Sequence, residues 1–591
     1  MCGIIGQIGK TAIHQEQFCL KRDTLLHRGP DGKGVVFLQN NTIALGHRRL
    51  AFFDLSENGL QPMTDSSKQI WITYNGEIYN YRELKETLIQ LGCIFHTQTD
   101  TEVILEGYKV WGIDVIQKLK GMFALGLLDL SQQKLFLVRD RFGIKPLYYS
   151  AAFGEFIFAS ELKAIVKHTT HNYQVDFSAF ADYFTYRYIP SPKTIWQDVA
   201  KLPPAHYLEY NIHSSAYSIH EYWKIQYQKR KIEKEELAYV FGKKLEQSVL
   251  LHARADVPIG SFLSGGYDSS AIVYLLAKNN YLPQTFSIGF NNWDKSEDQY
   301  AALVAEKFEL SHHPLMVSEN DLDLSNLMPD VYDEPIADIS ILPTYLVSKN
   351  ARKHVKAVMG GEGADELLGG YTWQKDWFSE HPATWKQKLF GLSDNHPETL
   401  IPYYANAMAM GFFGNTEQQL LLQKNYHKNI PNDANWFYRQ HHNPDLSAFQ
   451  AIQHMDIKCF MGELVLTKID RASMANSLEV RVPFLDHELY ELVLANRENS
   501  YMDAKTTKYL LHENIKQALP QTILNRPKQG FVGPDGFYMQ IGWYKSNLDH
   551  AKLIKEGIIN EEYYLHLLTQ QDHWRLWKLM VMEKWFNRWA L

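Results

Sequence analysis

The residue that follows the initiator methionine is a cysteine, in the segment MCGIIG. Because cysteine is a small residue, we expect methionine aminopeptidase to remove Met1. Cys2 then carries a thiol and a free α-amine on one residue. An α-amine titrates near pH ~7.7–8.0 and can accept the proton of the thiol, so the pair is a nucleophile with its own base. The alternative is that Cys2 is simply the start of an N-terminal strand.

Other segments offer the groups that a cysteine attacking a carboxamide requires. The tetrahedral intermediate is an anion, and the side-chain amide of Asn75 with the N–H of Gly76 can donate hydrogen bonds to it. We expect this Asn-Gly pair to lie in a turn. A free amino acid carries two charges, so an arginine for its carboxylate and an aspartate for its ammonium complete a clamp. HRGPD (27–31) and GHRRL (46–50) place arginines at turn or strand ends, and Asp100 precedes a predicted helix.

A second group of residues, in FLSGGYDSS, is typical of phosphate binding. Ser264, Gly265 and Gly266 are predicted to form a strand-to-helix turn whose backbone N–H groups surround a pyrophosphate. Asp268 can hold Mg²⁺, and Ser269 is predicted to open the helix and to donate a further hydrogen bond. The segment has no GK[ST], so it is not a Walker A loop.

A third group lies in MGGEGADELLGGY (359–371), where Glu362, Asp365 and Glu366 stand among five glycines. Carboxylates this close together bind metal or perform acid/base chemistry, unless they are simply solvated turn residues. Further on, LNRPKQGF contains Lys528, whose compact positive charge suits a pyrophosphate.

Composition excludes several classes of protein. The net charge of −7 argues against a nucleic-acid partner, which would need a broad basic face. The four cysteines contain no CxxC pair, so we expect neither a zinc site nor a disulfide framework, and we predict a reducing, cytoplasmic location. The sequence shows no basic-then-apolar signal and no uncharged apolar run of membrane-spanning length.

The pattern of elements divides the 591 residues. Up to about residue 210, short aromatic and β-branched segments separated by turns predict stacked antiparallel sheets, interrupted by one helix in ELKETLIQLG. A polar, charged stretch over 211–235 is interpreted as an inter-domain connection. Strands then alternate with helices, which predicts a parallel α/β sheet, and helical patterns dominate from about residue 375.

The order of motifs in the first part of the chain resembles the glutaminase domain of class II glutamine amidotransferases. These motifs are MCGIIG, HRGPDG, HRRL, NGEIYN, TDTEVIL, GMFAL and RDRFGIKPLYY. The resemblance covers essentially residues 2–200. It implies that Cys2 attacks glutamine, with Asn75 and Gly76 as the oxyanion hole. It also implies that four residues bind glutamine: Arg49, Asn75, Glu77 and Asp100. The matching arginine of HRRL is Arg49, because Arg48 occupies a variable position.

The later motifs extend the resemblance to about residue 535. Five further motifs, taken together, are similar to those of the asparagine synthetase family. They are SGGYDSS, DEPIADISILPTYLVSK, GEGADELLGGY, DRASMANSLEVRVPFLD and RPKQGF. The resemblance implies Mg²⁺ at Asp268 and Asp365, and Glu362 as the general base that deprotonates the attacking ammonia. The residues it implies for ATP or pyrophosphate are Leu263, Ser264, Gly265, Gly266, Asp268, Ser269, Ile288, Gly360, Gly361 and Lys528.

The resemblance implies an activity and an architecture. The reaction is ATP, L-aspartate, L-glutamine and water to AMP, diphosphate, L-asparagine and L-glutamate. The fold class is α/β multidomain. Residues 2–210 form an N-terminal Ntn-hydrolase αββα sandwich, and residues 211–235 form a linker. Residues 236–591 form a parallel-sheet ATP-pyrophosphatase domain of the adenine nucleotide alpha hydrolase-like type, which ends in a helical C-terminal part. ATP and Mg²⁺ are the expected cofactors, the substrates are small molecules, and the family suggests a homodimer.

Some positions depart from the family pattern. Gly360 stands where a serine usually precedes GEG, which removes one hydroxyl donor near the nucleotide. Tyr267 stands where SGGLDSS is commoner, and Leu368 replaces a more frequent phenylalanine. No proposed catalytic group is lost.

Three alternatives remain open. The acceptor can be another carboxylate, such as a sugar acid, an antibiotic precursor or a peptide. A ring-closing amide synthetase needs no glutaminase and would be expected to lose Cys2 or its partners. A non-catalytic binding protein would have no reason to keep both sets of residues. The C-terminal segment HWRLWKLMVMEKWFNRWAL (573–591) is a basic, Trp-rich helix that either packs on the synthetase core or lies on a membrane.

Overall fold

The computed structural model describes residues 2–227, 230–318, 323, 325–380, 395–503 and 505–590, and within them it contains three β-sheets. Met1, whose removal we expect, lies outside these residues. The described strands are β1 (Gly3–Gly9), β2 (Gly32–Leu38), β3 (Ile43–Arg49), β4 (Met63–Thr64), β5 (Ile70–Ile78), β6 (Gly121–Asp129), β7 (Lys134–Arg139), β8 (Tyr148–Ser150), β9 (Glu155–Ala159), β10 (Ala200–Lys201), β11 (His206–Asn211), β12 (Tyr217–Glu221), β13 (Ile259–Phe262), β14 (Thr285–Phe290), β15 (His312–Val317), β16 (Ala357–Met359) and β17 (Glu479–Arg481).

The described helices alternate with these strands. They are α1 (Gln15–Asp23), α2 (Tyr81–Gln90), α3 (Asp100–Trp111), α4 (Val115–Lys118), α5 (Lys163–Val166), α6 (Phe177–Tyr186), α7 (Lys234–His252), α8 (Tyr267–Lys278), α9 (Asp298–Lys307), α10 (Met328–Tyr332), α11 (Ile341–Ala351), α12 (Ala364–Leu368), α13 (Thr372–Glu380), α14 (Pro397–Met408), α15 (Asn415–Leu421), α16 (Trp436–His441), α17 (Ala448–Met455), α18 (Leu466–Met474), α19 (His487–Leu494), α20 (Tyr509–Ile515), α21 (Gln521–Leu524), α22 (Asp535–Tyr538), α23 (Ile541–Leu548), α24 (Lys552–Lys555), α25 (Glu561–Thr569) and α26 (His573–Trp589). A π-helix, Asp456–Val465, runs directly into α18.

Two antiparallel sheets form the first part of the chain. Their strand orders are β10-β8-β9-β1-β3-β2 and β12-β11-β7-β6-β5-β4. The two sheets share one apolar core, in which Ile4 and Phe158 of the first sheet meet Leu128 and Leu137 of the second. Helix α1 packs on β3 and helix α3 packs on β5. The prediction of an αββα sandwich is therefore confirmed.

The third sheet is parallel throughout, with the order β15-β14-β13-β16-β17. Its strands are short and mostly buried, as expected when helices cover both faces of a sheet. The alternation of strands and helices predicts this sheet, and the prediction is confirmed. The segment 211–235, interpreted as a connection, contributes β12 to the antiparallel part, and α7 begins at Lys234.

The prediction that Asn75-Gly76 forms a turn is wrong. Both residues lie inside β5, where they pair with Ala124 and Phe123 of β6. Asn-Gly is typical of hairpin turns, but glycine within a strand also allows a neighbouring backbone to approach closely. A Cβ added at Gly76 would lie 2.1 Å from the carbonyl oxygen of Met122. Residue 76 is therefore glycine because the backbone of Met122 on β6 leaves no room for a side chain.

The C-terminal helix α26 packs against the rest of the protein. The indole of Trp585 donates to the carbonyl of Asp333 at 3.0 Å, and the indole of Trp589 donates to that of Pro329 at 2.9 Å. Trp577 is buried as well. Of the two readings of this segment, the packed one is confirmed. None of the described helices has the length and apolar character needed to cross a membrane.

Candidate functional site

The backbone of Cys2 is fixed on both sides. Its N–H donates to Oδ1 of Asn75 at 2.8 Å, and its carbonyl accepts from Nε of Arg28 at 3.1 Å. The side chain is buried, at 7% exposure. Because β1 begins at the next residue, the central strand of the first sheet holds Cys2 against β5 of the second.

The environment of the Cys2 thiol favours its neutral form. Burial raises the pKa of Cys2, although a backbone hydrogen bond from Leu50 acts in the opposite direction. The charge of Glu77 raises this pKa further and that of Arg49 lowers it. Because the thiolate is the nucleophile, the resting thiol needs a base, and a free amine on the same residue would supply one.

Asn75 presents a hydrogen-bond donor that the protein does not use. Its Nδ2 is buried and has no hydrogen-bond partner within the described part of the chain. Buried polar groups are nearly always hydrogen-bonded, so an exception calls for an explanation. The Oδ1 of the same amide accepts from the Cys2 backbone, so the amide adjoins Cys2 and its Nδ2 can donate to an oxyanion formed there.

The two arginines of HRRL have different environments. Arg49 is buried and donates to the carbonyls of Phe53, Asp54 and Ser56 at 2.5–3.1 Å. Arg48, one residue earlier in β3, pairs instead with Asp23 at 2.7 Å. The charge of Arg49 lowers the pKa of the Cys2 thiol, so this arginine acts on the site.

Two carboxylates belong to the same region. Asp100 begins α3, and its Oδ2 accepts from the hydroxyl of Tyr74 and the N–H of Ile78, both at 2.9 Å. Burial raises the pKa of Asp100. Glu77 lies 3.4 Å from the guanidinium of Arg481, and burial raises its pKa well above the ordinary value. The charge of Glu77 acts on the Cys2 thiol, and that of Asp100 acts on Glu77.

The SGG turn connects β13 to α8. Gly265 has a φ of +71°, and a Cβ there would lie 2.5 Å from Cβ of Tyr300, so only glycine fits. Ser269 accepts a hydrogen bond from the N–H of Ser264 at 3.2 Å. The prediction that Ser269 opens the helix is wrong, because α8 begins two residues earlier, at Tyr267.

The predicted nucleotide residues adjoin this turn. The N–H of Leu263 donates to the carbonyl of Phe286 on β14, and Ile288 follows on the same strand. Gly361 comes shortly after β16 and lies close to Asp268. A Cβ added at Gly361 would lie 2.8 Å from Cβ of that aspartate. The turn and the GEG loop therefore meet at the carboxyl ends of β13 and β16.

Asp268 and Asp365 share one cation, Lys508. Its ammonium lies 2.5 and 2.6 Å from the oxygens of Asp268 and 2.8 Å from Oδ1 of Asp365. Lys528 contacts Asp365 at 2.6 Å. Burial raises the pKa of Asp268, whereas Lys508 and Lys528 overcome burial and hold that of Asp365 well below its ordinary value.

These two carboxylates fit a magnesium ion whose other ligands are phosphates and water. Mg²⁺ at nucleotide sites is held by one or two carboxylates together with substrate phosphates. Two half-buried carboxylates that converge on one positive charge are such a pair. No cluster of three or more His, Cys, Asp or Glu side chains suited to a metal occurs in the described ranges.

Glu362 is a buried carboxylate with an unused oxygen. Its Oε2 has no hydrogen-bond partner among the residues described. Burial raises the pKa of Glu362, and the charge of Lys468 opposes this shift in part. A Cβ added at Gly360 would lie 2.1 Å from this oxygen. Glycine at 360 thus leaves the space that the carboxylate of Glu362 occupies.

Comparison with known proteins identifies the family. The family model described as Asparagine synthase matches residues 241–587, and that described as Glutamine amidotransferase domain matches residues 1–223. The chain is 32% identical to Asparagine synthetase [glutamine-hydrolyzing] 1 of Bacillus subtilis (strain 168), over 99% of this chain and 96% of that protein. The chain belongs to the glutamine-hydrolysing asparagine synthetase family.

Other relatives differ in similarity. A Putative asparagine synthetase [glutamine-hydrolyzing] of Mycobacterium tuberculosis (strain ATCC 25618 / H37Rv) is 31% identical over 95% of this chain and 91% of its own length. Among solved structures, glutamine phosphoribosylpyrophosphate amidotransferase from B. subtilis, complexed with ADP and GMP, has 17% identity and a TM-score of 0.30. That match covers 53% of this chain and 65% of the other. So low a TM-score supports no argument about the fold.

Buried charges join the Cys2 region of the antiparallel part to α18. Arg28 contacts the Cys2 carbonyl and also donates to Asp470 on α18 and to Glu161, both at 2.8 Å. Arg471, next on α18, pairs with Glu161 at 2.8 Å. Removing one partner of a buried ion pair costs about 3–5 kcal/mol, so this network holds the antiparallel part firmly to the parallel part.

HRGPD offers Arg28 as an arginine near Cys2, but the sequence does not indicate its pairing with Asp470 and Glu161, and no motif indicates Lys508. Lys508 lies in TTKYLL, which contains no glycine turn and no acidic neighbour. Its backbone has a φ of +51°, a left-handed conformation that is uncommon for residues other than glycine. The only signal was the presence of two carboxylates that need a cation, and this signal does not say which lysine supplies it.

Proposed function

We propose that the chain is a glutamine-dependent asparagine synthetase that converts ATP, L-aspartate, L-glutamine and water to AMP, diphosphate, L-asparagine and L-glutamate. One observation supports this proposal above others: two separate buried sites each keep a polar atom without a partner among the described residues. These atoms are Nδ2 of Asn75 beside the Cys2 thiol and Oε2 of Glu362. The first suits a developing oxyanion and the second an attacking amine.

In the glutaminase half-reaction, Cys2 is the nucleophile. Once Met1 is removed, the Cys2 nitrogen is an amine, and its hydrogen bond to Asn75 orients it. The amine accepts the thiol proton as sulfur attacks the glutamine carboxamide, and Asn75 Nδ2 with the N–H of Gly76 stabilises the oxyanion. The proton then passes to the leaving ammonia, and water hydrolyses the thioester. Arg49 and Asp100 hold the carboxylate and ammonium of glutamine.

In the ligation half-reaction, the aspartate side-chain carboxylate attacks the α-phosphate of ATP and releases diphosphate. A free carboxylate is a poor electrophile, and AMP gives it a good leaving group. Asp268 and Asp365 would hold Mg²⁺, which supplies charge neutralisation at the phosphates when bound. Lys508 and Lys528 bind the diphosphate. Glu362 accepts a proton from ammonia as it displaces AMP.

Replacing Asn75 with alanine is expected to lower the kcat of glutamine hydrolysis by about 10²–10³-fold, the effect of losing one oxyanion donor. Synthesis from ammonium should continue, because that route does not use Cys2. The measurement is glutamate release at saturating glutamine. Asn172→Ala, at an exposed position, is the matched control. A kcat within threefold of wild type in Asn75→Ala would remove Asn75 from the oxyanion hole.

Replacing Lys508 with methionine is expected to lower kcat/KM for ATP by about 10–100-fold, the size of a hydrogen bond to a charged group. The variant loses a diphosphate donor and leaves Asp268 and Asp365 repelling each other. The measurement is diphosphate release with ammonium as nitrogen donor. Lys505→Met, at an exposed position three residues earlier, should behave as wild type. An unchanged ATP dependence in Lys508→Met would contradict the assignment.

The proposed function is tested by ammonium-driven diphosphate release from ATP-Mg²⁺ with and without L-aspartate. Because ammonium bypasses Cys2, unprocessed Met1 does not affect the result. The proposal predicts aspartate-dependent diphosphate with an equal amount of asparagine. If aspartate gives no diphosphate release while the protein still hydrolyses glutamine, the acceptor is another carboxylate.

Domain division, location and assembly follow from the same proposal. The glutaminase domain spans 2–210, the linker 211–235 and the synthetase domain 236–591. A thiol nucleophile requires a reducing compartment, and the four cysteines are unpaired in the described structure, so we place the enzyme in the cytoplasm. A homodimer is the expected assembly. Limited proteolysis within 222–235 and sedimentation of the intact chain test the division and the dimer.

A further inference from the structure

A polar cluster lies where the residue after α6 meets the loop before α11. Lys468 Nζ donates to Oγ of Ser340 at 2.7 Å, and the Ser340 hydroxyl donates to Asp338. Asp338 also lies 3.9 Å from the guanidinium of Arg187. The backbone joins the two segments, since the N–H of Ala337 donates to the carbonyl of Arg187 at 2.9 Å. Arg187, Asp338, Ser340 and Lys468 are called the junction cluster below.

The junction cluster is charged and close to Glu362. Burial alone would raise the pKa of Asp338, but Lys468 and Arg187 hold it below its ordinary value, so the carboxylate is ionised. The charge of Lys468 also acts on Glu362. The same cation of the cluster, Lys468, therefore acts on both Asp338 and the carboxylate that we assign to amide formation.

The junction cluster also has an unused donor. Arg187 is buried at 6% exposure, and its Nε makes no hydrogen bond within the described part of the chain. Its Nη1 contacts the thioether of Met410 and lies 3.9 Å from Oδ2 of Asp338. Lys468 stands in the first turn of α18, directly after the π-helix Asp456–Val465. π-Helical segments are rare and often occur at functional sites.

We infer that the junction cluster binds the non-reacting end of the acceptor, and this inference rests on the proposed function. An amino dicarboxylate that presents one carboxylate for activation leaves a second carboxylate and an ammonium to be recognised. Lys468 and Arg187 provide cations for that carboxylate, and Asp338 provides the anion for the ammonium. Ser340 positions Lys468 and Asp338 relative to each other. Acceptors without the ammonium forgo the ion pair with Asp338.

The experiment is Lys468→Met, with diphosphate release measured at saturating ammonium. We expect KM for aspartate to rise by about 10–100-fold, as for the loss of a hydrogen bond to a charged group. KM for ATP and the rate of glutamine hydrolysis should stay within twofold. Lys349→Met, exposed on α11, is the matched control, and Lys468→Arg should recover part of the aspartate affinity.

An unchanged KM for aspartate in Lys468→Met would overturn the inference, as would equal losses in aspartate, ATP and glutamine kinetics, which indicate a purely structural role. If Lys468→Met does not fold, Ser340→Ala is measured in its place, with an expected rise in KM for aspartate of about 3–10-fold. No rise there would also overturn the inference. Wild-type enzyme that forms no asparagine would instead overturn the proposed function.

Discussion

Replacing Cys2 with alanine is expected to abolish glutamine hydrolysis and to leave synthesis from ammonium at the wild-type rate. Removing a catalytic nucleophile costs on the order of 10⁴–10⁶-fold in kcat. The substitution leaves the backbone of residue 2 unchanged, so its hydrogen bonds to Asn75 and Arg28 remain and the fold should persist. The measurement compares glutamate release from glutamine with asparagine formation from ammonium.

Cys19→Ala is the matched control, because Cys19 is a half-buried cysteine on α1 with no proposed role. It should keep both activities. Loss of ammonium-dependent synthesis in Cys2→Ala, with the control intact, would contradict the separation of the two sites. Retained glutamine hydrolysis would exclude Cys2 as the nucleophile.

Replacing Glu362 with glutamine is expected to reduce amide formation from ammonium by about 10²–10⁴-fold, the usual contribution of a general base. The side chains have nearly the same shape, so the effect comes from the lost proton acceptor. Glutamine hydrolysis should change little, because Cys2 and its partners lie in the antiparallel part. Glu306→Gln, exposed on α9, is the control. Unchanged product formation would remove Glu362 from this role.

The pH profile gives the same experiment a second readout. Burial raises the pKa of Glu362, and a base works only when ionised. As the pH falls, Glu362 is therefore protonated at a higher pH than an ordinary glutamate, whose pKa is about 4.3. At a fixed concentration of free ammonia, the wild-type rate should fall on the acid side and that of Glu362→Gln should not. Identical profiles would contradict the assignment.

Much of the fold could be predicted from local patterns. Alternation of strands and helices after residue 232 predicts the parallel sheet, and short aromatic strands before residue 210 predict the stacked antiparallel sheets. Turn chemistry misled the prediction at Asn75-Gly76, because the same glycine that suits a turn also suits a strand pressed against Met122. β17 was not predicted, since only three residues of a mixed segment form it.

Contacts between distant segments could not be predicted. Arg28 and Asp470 are 442 residues apart in sequence, yet they share a bidentate pair under Cys2. Lys508 approaches Asp268 and Asp365 because α20, α8 and α12 converge, and no local sequence encodes that convergence. Sequence motifs indicate the residues proposed to contact substrate. Only the fold determines which distant charged residues, such as Arg28 and Lys508, form ion pairs around them.

The measurement that tests the account most directly follows nitrogen from one site to the other. Wild-type enzyme is supplied with ATP-Mg²⁺, L-aspartate and glutamine labelled with ¹⁵N in its amide, and the asparagine is analysed by mass spectrometry. The account predicts labelled asparagine, with glutamate, AMP and diphosphate formed in equal amounts, and no labelled product from Cys2→Ala. Glutamate released without labelled asparagine, under conditions where ammonium does give asparagine, would contradict it.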